Sequence, residues 1–171
     1  MKVIQGMKGI QALQIKAGDL RKKIQMYCSD SSIETPAYGE DQRNKIKEWL
    51  QSHSDTVKEI LRLRIAIQRT NLATEVTMEL GGKQVKKTIA EWIHRRRDLA
   101  GAERSCWEGL TDKNIKEGYY ETPGGGKQEV KLRRYYDPNE RDKNIEMYRG
   151  EPGIIDATLE VINAVTELIE S

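Results

Sequence analysis

Apolar residues recur every seven positions through residues 1–72, and this repeat restricts the chain to long helices packed side by side. Val3, Ile10, Ala17 and Ile24 occupy one position of the heptad, and Gly6, Leu13, Leu20 and Tyr27 lie three residues later. A seam sustained for about four heptads is a coiled-coil-like stripe. A second repeat places Ile46, His53, Ile60 and Ile67 in one row and Trp49, Thr56, Leu63 and Thr70 in the next, with Leu50 and Val57 beside them. Between the repeats, the stretch from Ser29 to Asp41 contains Pro36 and Gly39 and reads as a loop. Residues 1–72 are therefore expected to form a helical hairpin. His53 reads as a core or interface histidine, because no cysteine, carboxylate or second histidine has ligand spacing around it.

Composition fits narrow stripes. Charged residues make up 33%, hydrophobic residues 37% and aromatics 6%, and there is no phenylalanine. A large aromatic core is excluded, which leaves helices that bury one stripe or chains that complete their core by oligomerising. The net charge of +2 carries no general nucleic-acid or membrane signature. No apolar run approaches the roughly 18 residues of a membrane span, and the first residues lack the pattern of a signal peptide. Cys28 and Cys106 are isolated and form neither a metal motif nor a disulfide framework. They read as reduced thiols of a cytoplasmic protein. No cofactor is expected.

After the second repeat the period changes. Val76, Met78 and Leu80 alternate with polar residues, Gly81-Gly82 supplies a turn, and residues 83–87 return as a second strand. Thr88 and Glu91 form a capping box that starts a third helix. Here Ile89, Arg96, Glu103 and Leu110 share one heptad row, and Trp92, Leu99 and Cys106 share another, flanked by Ile93, Ala100 and Trp107. Arg95, Arg96 and Arg97 are consecutive and fan around the helix, and the row assigns the inward position to Arg96. A buried guanidinium needs a carboxylate from another element or a ligand phosphate.

Residues 113–137 read as a second hairpin or flap, with Tyr119-Tyr120 and Tyr135-Tyr136 on opposite arms near its base and a glycine-rich tip. That tip lacks the ending of a phosphate-binding loop and reads as either a mobile lid or a simple turn. Asp137, Pro138 and Glu140 start the C-terminal helices, 138–171, which Gly150 and Pro152-Gly153 are expected to kink or restart. The fold class is mainly α: an antiparallel long-helix, coiled-coil-like bundle with two short inserted β-hairpins. It is expected as a single domain over 1–171, comprising a helical hairpin (1–72), a hairpin and helix (73–112), a flap (113–137) and the C-terminal helices.

The run from Arg64 to Glu103 resembles the septicolysin-like family of small bacterial and bacteriophage proteins. Thr70, Asn71 and Thr74 match the end of that family's helix before a short hairpin, and Thr88, Ile89, Glu91, Trp92, Ile93, Arg96 and Arg97 match the start of the helix after it. Trp92 and the glycine-rich flap resemble the phage members. The resemblance implies a helical protein that assembles into ring-like homo-oligomers, for which a hexamer is expected; it fixes fold better than activity.

Between Trp92 and Tyr136, arginines and lysines alternate with aromatic residues. Guanidinium forks match phosphate oxygens, and aromatic faces stack on bases. The bland alternative is a solvated helix face plus interfacial aromatics in an oligomer. No serine–histidine–acid set, cysteine–histidine pair or metal cluster has a recognisable spacing, so a non-enzyme is expected. The absence of a continuous basic stripe argues against nucleic acid. The expectation is a phage-type sponge that sequesters a small anionic nucleotide immune signal, of the cyclic dinucleotide or cyclic ADP-ribose type, and so inhibits host anti-phage defence. Its ligand-binding residues would be Asn71, Trp92, Arg95, Arg96, Arg97, Lys127, Arg133, Tyr135 and Tyr136. The alternative is a structural or scaffolding assembly with no small ligand.

Overall fold

The structure is a computed structural model that describes residues 1–170 of the 171. It is mainly helical, with two small two-stranded sheets. The elements are α1 (Val3–Tyr27), a 3-10 turn (Gly39–Asp41), α2 (Gln42–Ala73), β1 (Glu75–Leu80), β2 (Lys83–Thr88), α3 (Ile89–His94), a π turn (Arg95–Leu99), α4 (Ala100–Glu108), β3 (Gly118–Glu121), β4 (Lys127–Val130) and α5 (Pro138–Val165). Where one domain is expected from the sequence, the chain divides into two compact units, Met1–Glu75 with Leu159–Ser171, and Val76–Thr158.

In the first unit α1 packs along α2 as an antiparallel hairpin. The covered positions are the heptad rows: Val3, Gly6, Thr56, Leu63 and Thr70 are buried, and the remaining row members are half-buried. Burial is this shallow because two facing helices cover only one stripe each. The buried hydroxyls of Thr56 and Thr70 donate to the carbonyls of Ser52 and Ala66, at 2.7 and 2.8 Å, so neither is an orphan. At the hairpin bend Tyr27, Tyr38 and Trp49 form a mutually packed trio with ring centroids 5.3–5.8 Å apart. The chain after α5 returns to the start of α1. The Val3 amide donates to the Thr166 carbonyl at 2.9 Å, and the Leu168 amide donates to the Met1 carbonyl at 2.8 Å. Lys2 Nζ donates to the Val165 carbonyl at 2.8 Å, placing a cation at the negative end of α5. Gly6 allows this close approach, since a Cβ there would meet Leu168 Cδ1 at 2.7 Å.

In the second unit the turn between β1 and β2 has Gly81 and Gly82 at φ +56° and +77°, the left-handed pair of a tight hairpin turn. Alternation holds: Val76 and Met78 are buried while Glu75, Thr77 and Glu79 face out. The capping box also forms, the Thr88 amide donating to Glu91 Oε2 at 2.7 Å and the Glu91 amide to Thr88 Oγ1 at 3.2 Å.

The third helix departs from the heptad expected of it. The Ala100 amide donates to the Arg95 carbonyl, a bond that spans five residues instead of four. A π turn consumes one residue more than an α turn. The covered row after it therefore shifts by one, from Leu99, Glu103 and Cys106 to Ala100, Arg104 and Trp107. Leu99 is left exposed and Ala100 fully buried. Before the turn, Ile89 and Trp92 point inward, and the next inward residue is Arg95, not Arg96.

β3 and β4 pair antiparallel, with Tyr119 opposite Glu129 and Tyr120 opposite Gln128. Apart from half-covered Val130 the ribbon is exposed. The C-terminal region, which Gly150 and Pro152-Gly153 are expected to kink or restart, is assigned as one helix. Asp137 Oδ1 accepts from the Asn139 amide at 2.8 Å to cap its start, and Pro152 lies inside it. Proline lacks the amide that would bond the Tyr148 carbonyl, yet the helix runs on through Gly150–Gly153.

Candidate functional site

The second unit contains a cleft of about 580 Å³ between the β1–β2 turn, Trp92 and Arg95, and the first half of α5. Four cationic side chains line it, Lys83, Lys87, Arg95 and Lys143, against two acidic ones, Glu140 and Glu151. Leu80, Val85, Met147 and Tyr148 supply its apolar walls. The turn sits directly on α5, since a Cβ on Gly81 would meet Met147 Sδ at 2.6 Å.

At the floor of the cleft Arg95 makes a two-pronged pair with Glu151, Nε to Oε1 and Nη2 to Oε2, both at 2.7 Å. Arg95 retains 19% of its side-chain exposure and Glu151 only 2%. Glu103 lies 3.8 Å from Arg95 Nη1, and the guanidinium stands 5.7 Å from the Tyr148 ring centroid. The Glu151 hydrogen bonds raise the Arg95 pKa above its ordinary value, against the opposing effect of burial. Burial, and after it the Glu103 charge, raise the Tyr148 hydroxyl. This is a desolvated, fully paired charge centre.

The remaining expected site residues separate. Trp92 is fully buried and its Nε1 donates to the Val76 carbonyl at 3.0 Å, so its faces are core surfaces and not a stacking platform for a ligand. Arg96 pairs with Asp156 and is half exposed. Arg97 contacts His94 Nδ1 at 3.0 Å and Asp98 Oδ2 at 3.4 Å near the surface. Arg133, Tyr135 and Tyr136 line a smaller cleft of about 280 Å³. There Asp112 accepts both prongs of Arg134 at 2.7 Å and the Tyr136 hydroxyl at 3.0 Å. Arg134 first, and then Tyr136, hold the Asp112 pKa at about 2. Tyr135 is almost entirely exposed, and Lys127 lies on β4 opposite Glu121. Asn71 belongs to the first unit, where its Oδ1 is buried without a hydrogen-bond donor.

Lys83, Lys87, Lys143, Tyr148 and Glu151 were not singled out from the sequence. Glu151 did leave a signal. It precedes Ile155 and Leu159 at intervals of four, so it is a carboxylate on the buried stripe of α5 and demands a cation. The lysines left none, since they converge only through folding.

No protein-family model and no curated protein matches this chain. Its fold is similar to the crystal structure of a functionally unknown conserved protein from Corynebacterium diphtheriae, with 20% identity, coverage of 98% of each chain and a TM-score of 0.56. A likeness at that identity is one of fold alone.

Proposed function

We propose that the protein is a non-enzymatic binder that holds a small anionic nucleotide in the lysine-lined cleft of its second unit. The observation that carries this reading is the convergence of Lys83, Lys87 and Lys143 over an apolar wall in a cleft of about 580 Å³, a size within the usual range for small-molecule sites. Lys83 and Lys143 form no ion pair among the described residues, so their ammonium groups are open to phosphate. Apolar walls with Tyr148 suit a base or ribose. Arg95 is already satisfied by Glu151, which moves the anion-binding role from the arginines to the lysines. A sponge for a cyclic dinucleotide or a cyclised ADP-ribose, active against host defence and assembled as a homo-oligomer, is the fuller form of the same proposal.

The test is calorimetric titration with cyclic di-AMP, cyclic GMP-AMP, ADP-ribose and inorganic phosphate, with native mass spectrometry of protein drawn from cells that make such signals. Binding of a nucleotide that weakens at least tenfold in Lys143→Glu and Lys83→Glu supports the site. Equal binding by both variants, or none by the parent, overturns it. A ligand-free scaffold is the second reading. It is favoured by the carboxylate partners of Arg95 and Arg96, which meet their charge without any ligand.

A further inference from the structure

α2 turns its heptad rows to α1, yet a second apolar strip on it stays bare. Leu50, Val57, Leu61, Ile65 and Leu72 are 39–60% exposed. Their spacings of seven, four, four and seven residues confine them to a strip about 80° wide and about 33 Å long, at 3.6 residues per turn and 1.5 Å per residue. A continuous strip of this kind marks an interaction surface, unlike scattered exposed leucines. Lys47, Lys58, Arg64 and Arg69 flank it, each three residues from one of its apolar members. Only Lys58 of these four forms an ion pair among the described residues, with Asp55 at 3.3 Å. α2 as a whole contains seven basic and three acidic residues.

α5 shows the complementary pattern. Ile154, Val161 and Val165 are exposed and follow one face at spacings of seven and four. From residue 150 to its end α5 contains no lysine or arginine and three carboxylates, of which Glu151 pairs with Arg95 and Asp156 with Arg96. Glu160, about 100° round the helix from Val161, forms no ion pair among the described residues.

We infer that the outer strip of α2 docks against the outer face of α5 of a second copy of this chain. Two α2 strips facing each other would set Lys47, Arg64 and Arg69 against their own duplicates, and like charges across an interface are costly. The α2–α5 pairing avoids that repulsion, because the α5 face has no lysine or arginine of its own, buries eight apolar side chains in each reciprocal contact, and gives the unpaired Glu160 a guanidinium partner in Arg64 or Arg69. Neither face includes a residue of the lysine-lined cleft, so self-association and nucleotide binding can fail separately.

The experiment uses the full chain in a Cys28→Ser, Cys106→Ser background. An equimolar mixture of a Leu61→Cys protein and a Val165→Cys protein is oxidised, and its mass is read under denaturing conditions. The expected result is a mixed disulfide dimer that exceeds either self-dimer. Light scattering of Leu61→Glu should show a loss of assembly, with the dissociation constant raised more than tenfold. Glu160→Lys should weaken association, and Arg64→Glu combined with Glu160→Arg should recover at least part of it. A monomeric parent at micromolar concentration, a Leu61→Cys protein that cross-links chiefly to itself, or undiminished assembly of Leu61→Glu would each overturn the inference. Circular dichroism of Leu61→Glu separates lost association from lost folding, because the side chain it replaces is 60% exposed.

Discussion

Arg95→Ala removes the guanidinium from a pair whose other member has nowhere to go. Glu151 is 2% exposed and directs both oxygens at Arg95. Without that partner the carboxylate either stays charged in a desolvated site or takes up a proton, and both cost stability. Breaking a buried pair by deleting one member costs about 3–5 kcal/mol. Arg95 keeps a fifth of its side chain exposed, and water can enter beside it from the cleft, so the lower part of that range, about 3–4 kcal/mol, applies. At a urea dependence of about 2 kcal/mol/M, the unfolding midpoint should fall by roughly 1.5–2 M. The assay is urea denaturation followed by circular dichroism and tryptophan fluorescence. The double variant Arg95→Met with Glu151→Leu should recover most of the loss, because apolar replacement of a whole buried pair is often neutral or stabilising. A shift under about 0.3 M in the single variant, or a double variant less stable than the single, would refute the view that this pair is a desolvated, mutually dependent centre.

Asp112 gives a pH prediction. Its folded carboxyl, at about 2, binds protons less readily than the ordinary carboxyl at 3.8, so its contribution is present above about pH 4 and disappears as pH falls towards 2. Asp112→Asn should show a shallower acid-unfolding profile in that window; an unchanged profile would contradict the assignment. Gly81→Val combines a left-handed backbone with a clash against Met147 Sδ and should destabilise by about 2–4 kcal/mol in thermal melts, whereas Gly82→Ala, with open space around it, should lose no more than the conformational part. Deleting exposed Asp98 removes the extra residue of the π turn and sets Ala100 seven positions after Trp92, so the variant should fold as a continuous helix with stability within about 1 kcal/mol of the parent. Loss of folding on that deletion would show that the turn is required and not merely accommodated.

The sequence by itself determined whatever depends on local periodicity. The rows Val3–Ile10–Ala17–Ile24 and Ile46–His53–Ile60–Ile67 are the covered sides of α1 and α2, because a helix repeats its faces regardless of what it meets. The Gly81-Gly82 turn, the Thr88–Glu91 box and the Asp137 cap were legible for the same reason: each is satisfied by atoms within a few residues. Tertiary structure decided the rest. The heptad assigns Arg96 to the inside, but Trp92 anchors the helix against Val76, and the buried Glu151 offers its charge to Arg95. Arg95 and Ala100 are both turned inward five residues apart, one more than an α turn uses, and the helix absorbs the extra residue as a π turn. No periodicity along the helix points to Arg95, because the carboxylate it meets lies fifty-six residues away on α5. The lysines of the cleft come from β2 and α5, and only the packing of the β1–β2 turn on Met147 brings them to one opening. Helical faces follow from spacing along the chain, whereas a charge site depends on which distant groups desolvate one another.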